Sequence, residues 1–206
     1  PDLAHLGLPP IPRGDCPSRV LPDLSLCGTQ TPGTLPQTAS TGPTVTILIC
    51  TYNRAELLPE AVASARSQGW PCEILVVNDG SQDGTQAWLD AQEDLVVLHQ
   101  ENQGKPTALN AGIAACTGQA VLVLDDDDML LPGAIALLAH ALFSTPALSC
   151  VFGDSIVFDG KTGQPGDWKP ATRLPPSHNV HGCLTMIPGM PGACLVRRSA
   201  QAEAGE

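Results

Sequence analysis

Aromatic residues and cations are both scarce in this chain. Phe, Trp and Tyr make up 3% of its 206 residues, so aliphatic side chains must fill any core. Lys and Arg total 10 against 21 Asp and Glu, a formal charge of -11. That balance argues against a basic footprint for nucleic acid or anionic lipid. No run reaches 18 apolar residues, so no membrane-spanning helix is expected. The most apolar stretch, Met129 to Phe143, is broken by Pro132, Gly133 and His140. No basic-then-apolar signal segment follows Pro1, which opens the chain without Met. The eight cysteines contain no Cys-x-x-Cys pair and are scattered from Cys16 to Cys194. Such spacing argues against a disulfide framework and for a reducing, cytoplasmic setting.

What is present divides the chain in two. Nine of the 20 prolines fall within residues 1–43, where no apolar period persists. That segment reads as an extended, poorly ordered leader. From Thr44 the pattern changes. Val45 to Cys50 (VTILIC) is a continuous, largely β-branched run, the mark of a strand buried on both faces. Glu56 to Gln68 has helical spacing, and Glu73 to Val77 reads as a second buried strand. Ser81 is placed to N-cap a helix running to about Glu93. Leu95 to Leu98 reads as a third strand, and Thr107 to Cys116 as a helix. Ala120 to Leu124 (AVLVL) reads as a fourth strand, and Pro132 to Phe143 as a helix with Pro in its first turn. Cys150 to Phe158 reads as a fifth strand, 159–191 as loop, and Ala193 to Val196 as a last strand before a helix from Ser199. Strands alternating with helices imply an α/β domain with a mainly parallel sheet.

In such sheets ligands bind beyond the carboxyl ends of the strands. The segments there are Thr51-Tyr52-Asn53-Arg54, Asn78-Asp79-Gly80-Ser81, Glu101 to Lys105 and Asp125-Asp126-Asp127-Asp128. The four aspartates carry the strongest signal. Two unit charges 4 Å apart repel by about 4 kcal/mol at an effective dielectric of 20. Such a cluster at a strand end calls for a cation or for protonation. Oxygen donors without nearby His or Cys suit Mg²⁺ or Mn²⁺ over zinc. The competing reading is an acidic turn capping the helix at Pro132. Asp79 fits a turn in which Gly80 takes positive φ, and equally an acceptor for the imide N–H of a uracil. Arg54 and Lys105 are candidate phosphate contacts or surface cations. His178, His181 and Cys183 resemble half a metal site, with Cys194 as a fourth donor, but read as ordinary loop.

With these residues assembled, the chain resembles glycosyltransferase family 2, of the GT-A fold. VTILICTYNRAELL, EILVVNDGSQDGT, HQENQGKPTALNAGIAACTG, AVLVLDDDDMLLPGAI and GACLVRRSAQAEAG occur in the family's order, over roughly Thr44 to Glu206. The resemblance implies a Rossmann-like sheet and transfer of a sugar from a nucleotide-diphosphate sugar. A UDP-sugar is the expected donor, and a glycan, lipid or protein the acceptor, with inversion at the anomeric carbon. It assigns Thr51, Tyr52, Asn53, Arg54, Glu56 and Asp79 to the nucleoside, and Lys105 and Asn110 to the donor site. It assigns Asp125 and Asp126 to the nucleotide sugar, and Asp127 and Asp128 to Mn²⁺ or Mg²⁺, in a register ambiguous by one residue. Leu109 stands where many members carry a basic residue. The family's catalytic base, an Asp often in a Glu-Asp pair, follows the segment matching GACLVRRSAQAEAG. The resemblance therefore implies a C-terminally incomplete domain with its base beyond Glu206, Asp154 being the weak candidate within the chain. Rival readings are an inactive nucleotide-sugar-binding module and a nucleotidyltransferase of related fold. A phosphohydrolase is disfavoured, because Met129 stands where its Asp-x-Asp motif wants Thr.

Overall fold

The computed structural model describes residues 43–153, 155–158, 165–169 and 194–204. The 1–43 leader, except Pro43, lies outside these residues, as do Asp154 and the His178–Cys183 cluster. The chain divides into two compact units, one of Thr41–Ser155 with Trp168–Glu206 and the other of Pro1–Ser40 with Ile156–Asp167. The first holds a six-stranded sheet. Its strands are β1 (Val45–Thr51), β2 (Cys72–Asp79), β3 (Val96–Gln100), β4 (Ala120–Asp125), β5 (Cys150–Phe152) and β8 (Cys194–Arg197). Their order is β3-β2-β1-β4-β8-β5. β1 pairs in parallel with both β2 and β4, and β2 with β3. β8 runs antiparallel to β4 and β5. The helices are α1 (Leu58–Arg66), α2 (Thr85–Asp90), α3 (Lys105–Ala115), α4 (Ala134–Ser144) and α5 (Arg198–Ala204).

Both faces of the sheet are covered, as the unbroken apolar strands require. On one face Val45, Ile47, Ile49, Val76, Leu122 and Leu124 pack with Leu58, Val62, Leu89, Ile135 and Leu142. On the other, Leu48, Cys50, Leu75, Val77 and Val121 pack with Ala108 of α3. Burying each large aliphatic side chain contributes about 1.5–3 kcal/mol, which outweighs helix-propensity differences of a few tenths. The Cys50, Cys72 and Cys116 thiols form no disulfide. Burial pushes the Cys50 thiol up to about 12 and the Cys72 thiol up to about 11, so both act as small hydrophobes.

Several boundaries differ from the sequence expectation, each for a local reason. The fifth strand is two short ones: β5 pairs with β8, while β6 (Ser155–Phe158) pairs with β7 (Pro165–Lys169) in a separate two-stranded sheet. β7 therefore lies inside the span expected to be loop. Ser81 does not cap α2. Its Oγ accepts the Asn53 N–H at 2.9 Å, and the Asp83 carboxylate takes the Thr85 N–H at 2.9 Å instead. α4 starts two residues after Pro132, because Gly133 adopts φ +78° and cannot continue a right-handed helix. No helix among the described residues is long and apolar enough to cross a membrane.

Beneath the sheet's opposite edge, Glu73 accepts from the Thr46 hydroxyl at 2.5 Å, the Thr117 N–H at 2.9 Å and the Thr117 hydroxyl at 2.7 Å. The Gly118 N–H donates to Thr46 Oγ at 2.9 Å, and a Cβ at residue 118 would lie 2.5 Å from the Thr46 backbone nitrogen. Backbone cannot yield as a side chain does. Gly118→Ala should therefore destabilise the domain by about 1–3 kcal/mol, the usual cost of overpacking, measured by chemical denaturation.

Candidate functional site

The parallel register brings three strand ends together. Cys50 lies opposite both Val77 and Asp125, Thr51 opposite Asn78, and Asp79 opposite Gln100. The chain leaves β1, β2 and β4 on one edge of the sheet, and an open cleft of about 330 Å³ forms there. Of the residues singled out from the sequence, Thr51, Tyr52, Arg54, Asp79, Lys105, Asp125, Asp126 and Asp127 line it. Cys50 and Ala108 complete the wall. Asn53, Glu56, Asn110 and Asp128 are not on the wall. Glu56 and Asn110 are exposed. Asn53 joins two loops: its Oδ1 accepts the Gln82 N–H at 2.7 Å, and its φ is +53°, which Asn tolerates.

Asp79 is buried, yet three donors converge on it. Oδ1 accepts from Gln100 Nε2 at 2.7 Å and the Gln103 N–H at 3.0 Å, and Oδ2 from the Gly104 N–H at 2.9 Å. One carboxylate thus ties the end of β2 to the loop that opens α3. Gly80 permits this approach. Its φ is +75°, and a Cβ there would lie 2.7 Å from the Asn102 backbone nitrogen. Gly80 takes the expected positive φ, but the side chain that closes the 78–81 turn is Asn78, whose Oδ1 accepts the Ser81 N–H at 3.0 Å; Asp79 gives its oxygens to the segment leading into α3, with about one of its four acceptor positions left over. No periodic signal marks Gln100, Gln103 and Ser81, which hold these loops through the Gln100 side-chain amide, the Gln103 backbone N–H and the Ser81 hydroxyl.

The acidic turn is closed by the Asp128 N–H donating to the Asp125 carbonyl at 3.1 Å. Lys105 Nζ contacts Asp125 Oδ1 at 2.7 Å, and Arg54 Nη1 contacts Asp127 Oδ2 at 3.4 Å. Burial alone would lower the Lys105 pKa, but the hydrogen bond and charge of Asp125, with Asp126 beyond it, hold it above the ordinary value. Asp128 has no such partner. Crowding of its carboxyl by neighbouring atoms, then the charges of Asp125 and Asp127, push its pKa up although the residue as a whole is exposed. The turn does not cap α4, whose first turn holds no acidic residue and whose N-cap, Gly133, offers no side chain.

No three His, Cys, Asp or Glu side chains among the described residues converge as a ready-made metal cage. The donor set nevertheless fits Mg²⁺ or Mn²⁺, which bind through one or two carboxylates and are completed by phosphates and water. Asp127 and Asp128 would supply hard oxygens with an excess of negative charge; among the described residues no imidazole lines the cleft, and its one thiol, Cys50, is kept protonated by burial. The Thr51 hydroxyl, buried behind the cleft wall, has no hydrogen-bond partner among the described residues.

Residues 46–201 match the family model of Glycosyl transferase family 2. With that match over most of its length, the chain belongs to glycosyltransferase family 2. It is 34% identical over 122 residues to an uncharacterised glycosyltransferase of Nostoc sp., covering 56% of this chain and 38% of that protein. It is 34% identical over 126 residues to the succinoglycan biosynthesis protein ExoO of Rhizobium meliloti, covering 58% of this chain and 36% of that protein. The chain thus spans well under half the length of these relatives. Among solved structures, TarS 1-349 of S. aureus in complex with UDP superposes with a TM-score of 0.56 at 19% identity, over 79% of this chain and 49% of that one. The likeness is one of fold, and the α/β fold is the expected GT-A type.

Two outcomes are expected for variants here. Asp79→Asn turns an amide toward converging N–H donors, so it should cost about 1–3 kcal/mol, the penalty of leaving a buried group unpaired, measured by denaturant melts. Asp128 has a folded-state pKa above its unfolded one, so its protonated form favours folding at low pH and that advantage is lost as pH rises through the raised pKa. Asp128→Asn should therefore raise the melting temperature of the metal-free protein at pH 7. The gain should vanish as pH falls below the ordinary Asp value of about 3.9. A gain that persists at low pH would show that charge is not its cause.

Proposed function

We propose that the chain carries the donor-binding part of a metal-dependent, inverting glycosyltransferase that moves a sugar from a UDP-sugar to an acceptor hydroxyl. The observation that carries this reading is the gathering of Asp79, Arg54, Lys105 and the acidic turn around one cleft. Tyr52, 45% exposed at the cleft, offers an apolar ring face to a base. Asp79 has an acceptor position left for the imide N–H of uracil, which supports uridine over a nucleoside lacking that donor. Asp125 and Asp126 face the ribose and phosphates, and Asp127 and Asp128 hold Mn²⁺ or Mg²⁺. When bound, the divalent cation neutralises charge developing on the departing nucleoside diphosphate.

Arg54 and Lys105 rest on carboxylates when no phosphate is present. Both cations lie at the cleft, where they would share their charge with a bound pyrophosphate, and Asp125 and Asp127 would be the carboxylates left to ribose and cation. The cleft then balances two added positive side chains against the acidic turn. A chain of net charge -11 needs such counter-charge to hold a pyrophosphate at all.

Calorimetry of the full chain with UDP, in Mn²⁺ and then in chelator, tests the reading. Binding should require the cation, and binding of equal strength in chelator would overturn the metal assignment. Asp127→Asn should weaken Mn²⁺-dependent binding, with no comparable loss for the exposed Glu60→Gln of α1. A charge-assisted hydrogen bond is worth about 1.5–3 kcal/mol, so Lys105→Met should weaken UDP binding by about tenfold or more.

A further inference from the structure

We infer that Ser64 of α1 and Gln68, just beyond its C-cap, are positioning residues for the acidic turn, and that they set its affinity for a divalent cation with the donor's diphosphate. This rests on the donor-binding reading above. Gln68 is 2% exposed, so its primary amide is fully withdrawn from water. Burying an amide is costly unless it is satisfied, and a leucine would fill the space at no such cost. Here every contact goes to backbone. Nε2 donates to the Ser64 carbonyl at 2.9 Å and to the Leu131 carbonyl at 3.2 Å, and Oε1 accepts the Ile135 N–H at 3.0 Å. One turn earlier, Ser64 Oγ accepts the Leu130 N–H at 3.0 Å and donates to the Ala61 carbonyl at 2.7 Å. Two side chains from α1 and its C-terminal end thus grip residues 130, 131 and 135.

Those residues immediately follow Asp125 to Asp128. Upstream, the turn is fixed where Asp125 pairs with Cys50 in the sheet. Downstream, polar anchoring comes from Ser64 and Gln68. Between these points Asp127 and Asp128 are exposed, and the Arg54 contact at 3.4 Å is a solvent-exposed pair worth little. Carboxylates on a short turn can aim at one ion only if both ends of the turn are held. Groups that orient metal ligands from behind typically change metal affinity by about 10- to 100-fold when removed.

The test uses the full chain with Gln68→Met, Ser64→Ala and Ser64→Thr, the last keeping the hydroxyl. Three measurements are made on each: calorimetric titration with Mn²⁺ and UDP, amide hydrogen exchange across 126–131, and thermal melting. Gln68→Met and Ser64→Ala should bind Mn²⁺ with UDP about 10- to 100-fold more weakly and exchange faster across 126–131, with β1 and β2 amides unchanged. Ser64→Thr should restore both. A merely structural role would lower the melting temperature while the folded protein keeps wild-type affinity and wild-type exchange in the turn, and that result overturns the inference. If Gln68→Met does not fold, the Ser64→Ala and Ser64→Thr pair decides. Failure of the wild type to bind UDP with Mn²⁺ sinks the donor reading and, with it, the claim on affinity. Unchanged exchange in folded variants sinks the positioning claim whatever the wild type binds.

Discussion

Parallel pairing of β1 on both flanks is the constraint on which the rest of this structure depends. A strand that hydrogen-bonds in parallel to two neighbours forces three chain segments to leave the sheet at one edge. The register then sets who meets whom. Cys50 stands between Val77 and Asp125, so the Thr51–Arg54 loop, the Asn78–Ser81 turn and the acidic turn emerge side by side. The register itself is held by apolar side chains on both faces. A slip of one residue would exchange Ile47 and Ile49 for Leu48 and Cys50 across the sheet, against different helices. Core packing and cleft assembly are in that sense the same fact.

On this frame Asp79 turns three separate loops into one wall. Its carboxylate binds the side-chain amide of Gln100 at the end of β3 and two N–H groups of the β3–α3 connection, and that connection delivers Lys105 to Asp125. A second set of contacts, between Asn53 and the Ser81–Gln82 segment, joins the β1 loop to the β2 turn. The cleft is thus bounded by loops that hold each other through backbone donors. Such contacts cost little to preorganise, because the donors would otherwise be unpaired. Neither reading of Asp79 in the sequence, turn former or ligand acceptor, foresaw this: Asn78 closes the turn, and Asp79 binds the residues that lead from β3 into α3.

How much of this was legible in the sequence depends on where each residue's energy comes from. VTILIC and AVLVL announced themselves because both faces of a central parallel strand are apolar. β3 was displaced by two residues at its end because His99 and Gln100 continue the ladder while being polar. Their side chains are satisfied by Asn78 and Asp79, partners 21 residues away that no local pattern reveals. The split of the fifth strand was likewise hidden, since β5 pairs with β8 more than 40 residues later. The cleft residues were found through the rule that strand ends carry chemistry. Gln68 was not, because a buried glutamine at the end of an amphipathic helix reads as a surface residue until its partners are known.

The acidic turn shows why placement matters more than composition. Four consecutive aspartates on a free loop would spread their charge into water at little cost. Here the first is fixed by β4, Lys105 neutralises it, and Arg54 leans on the third. Neutralisation is therefore uneven, and the charge left over collects on Asp128, whose pKa is raised by crowding and by its neighbours. A helix-capping role would have relieved that carboxylate through N–H donors of α4, yet Gly133 and a first turn without acids separate them. An arrangement that gives up the available cap and retains the repulsion is stabilised by adding positive charge. The two side-chain cations within reach are already engaged with Asp125 and Asp127. A divalent cation arriving with a pyrophosphate, as proposed, would meet that deficit without recruiting a further basic residue, which this chain, with 10 in all, scarcely has.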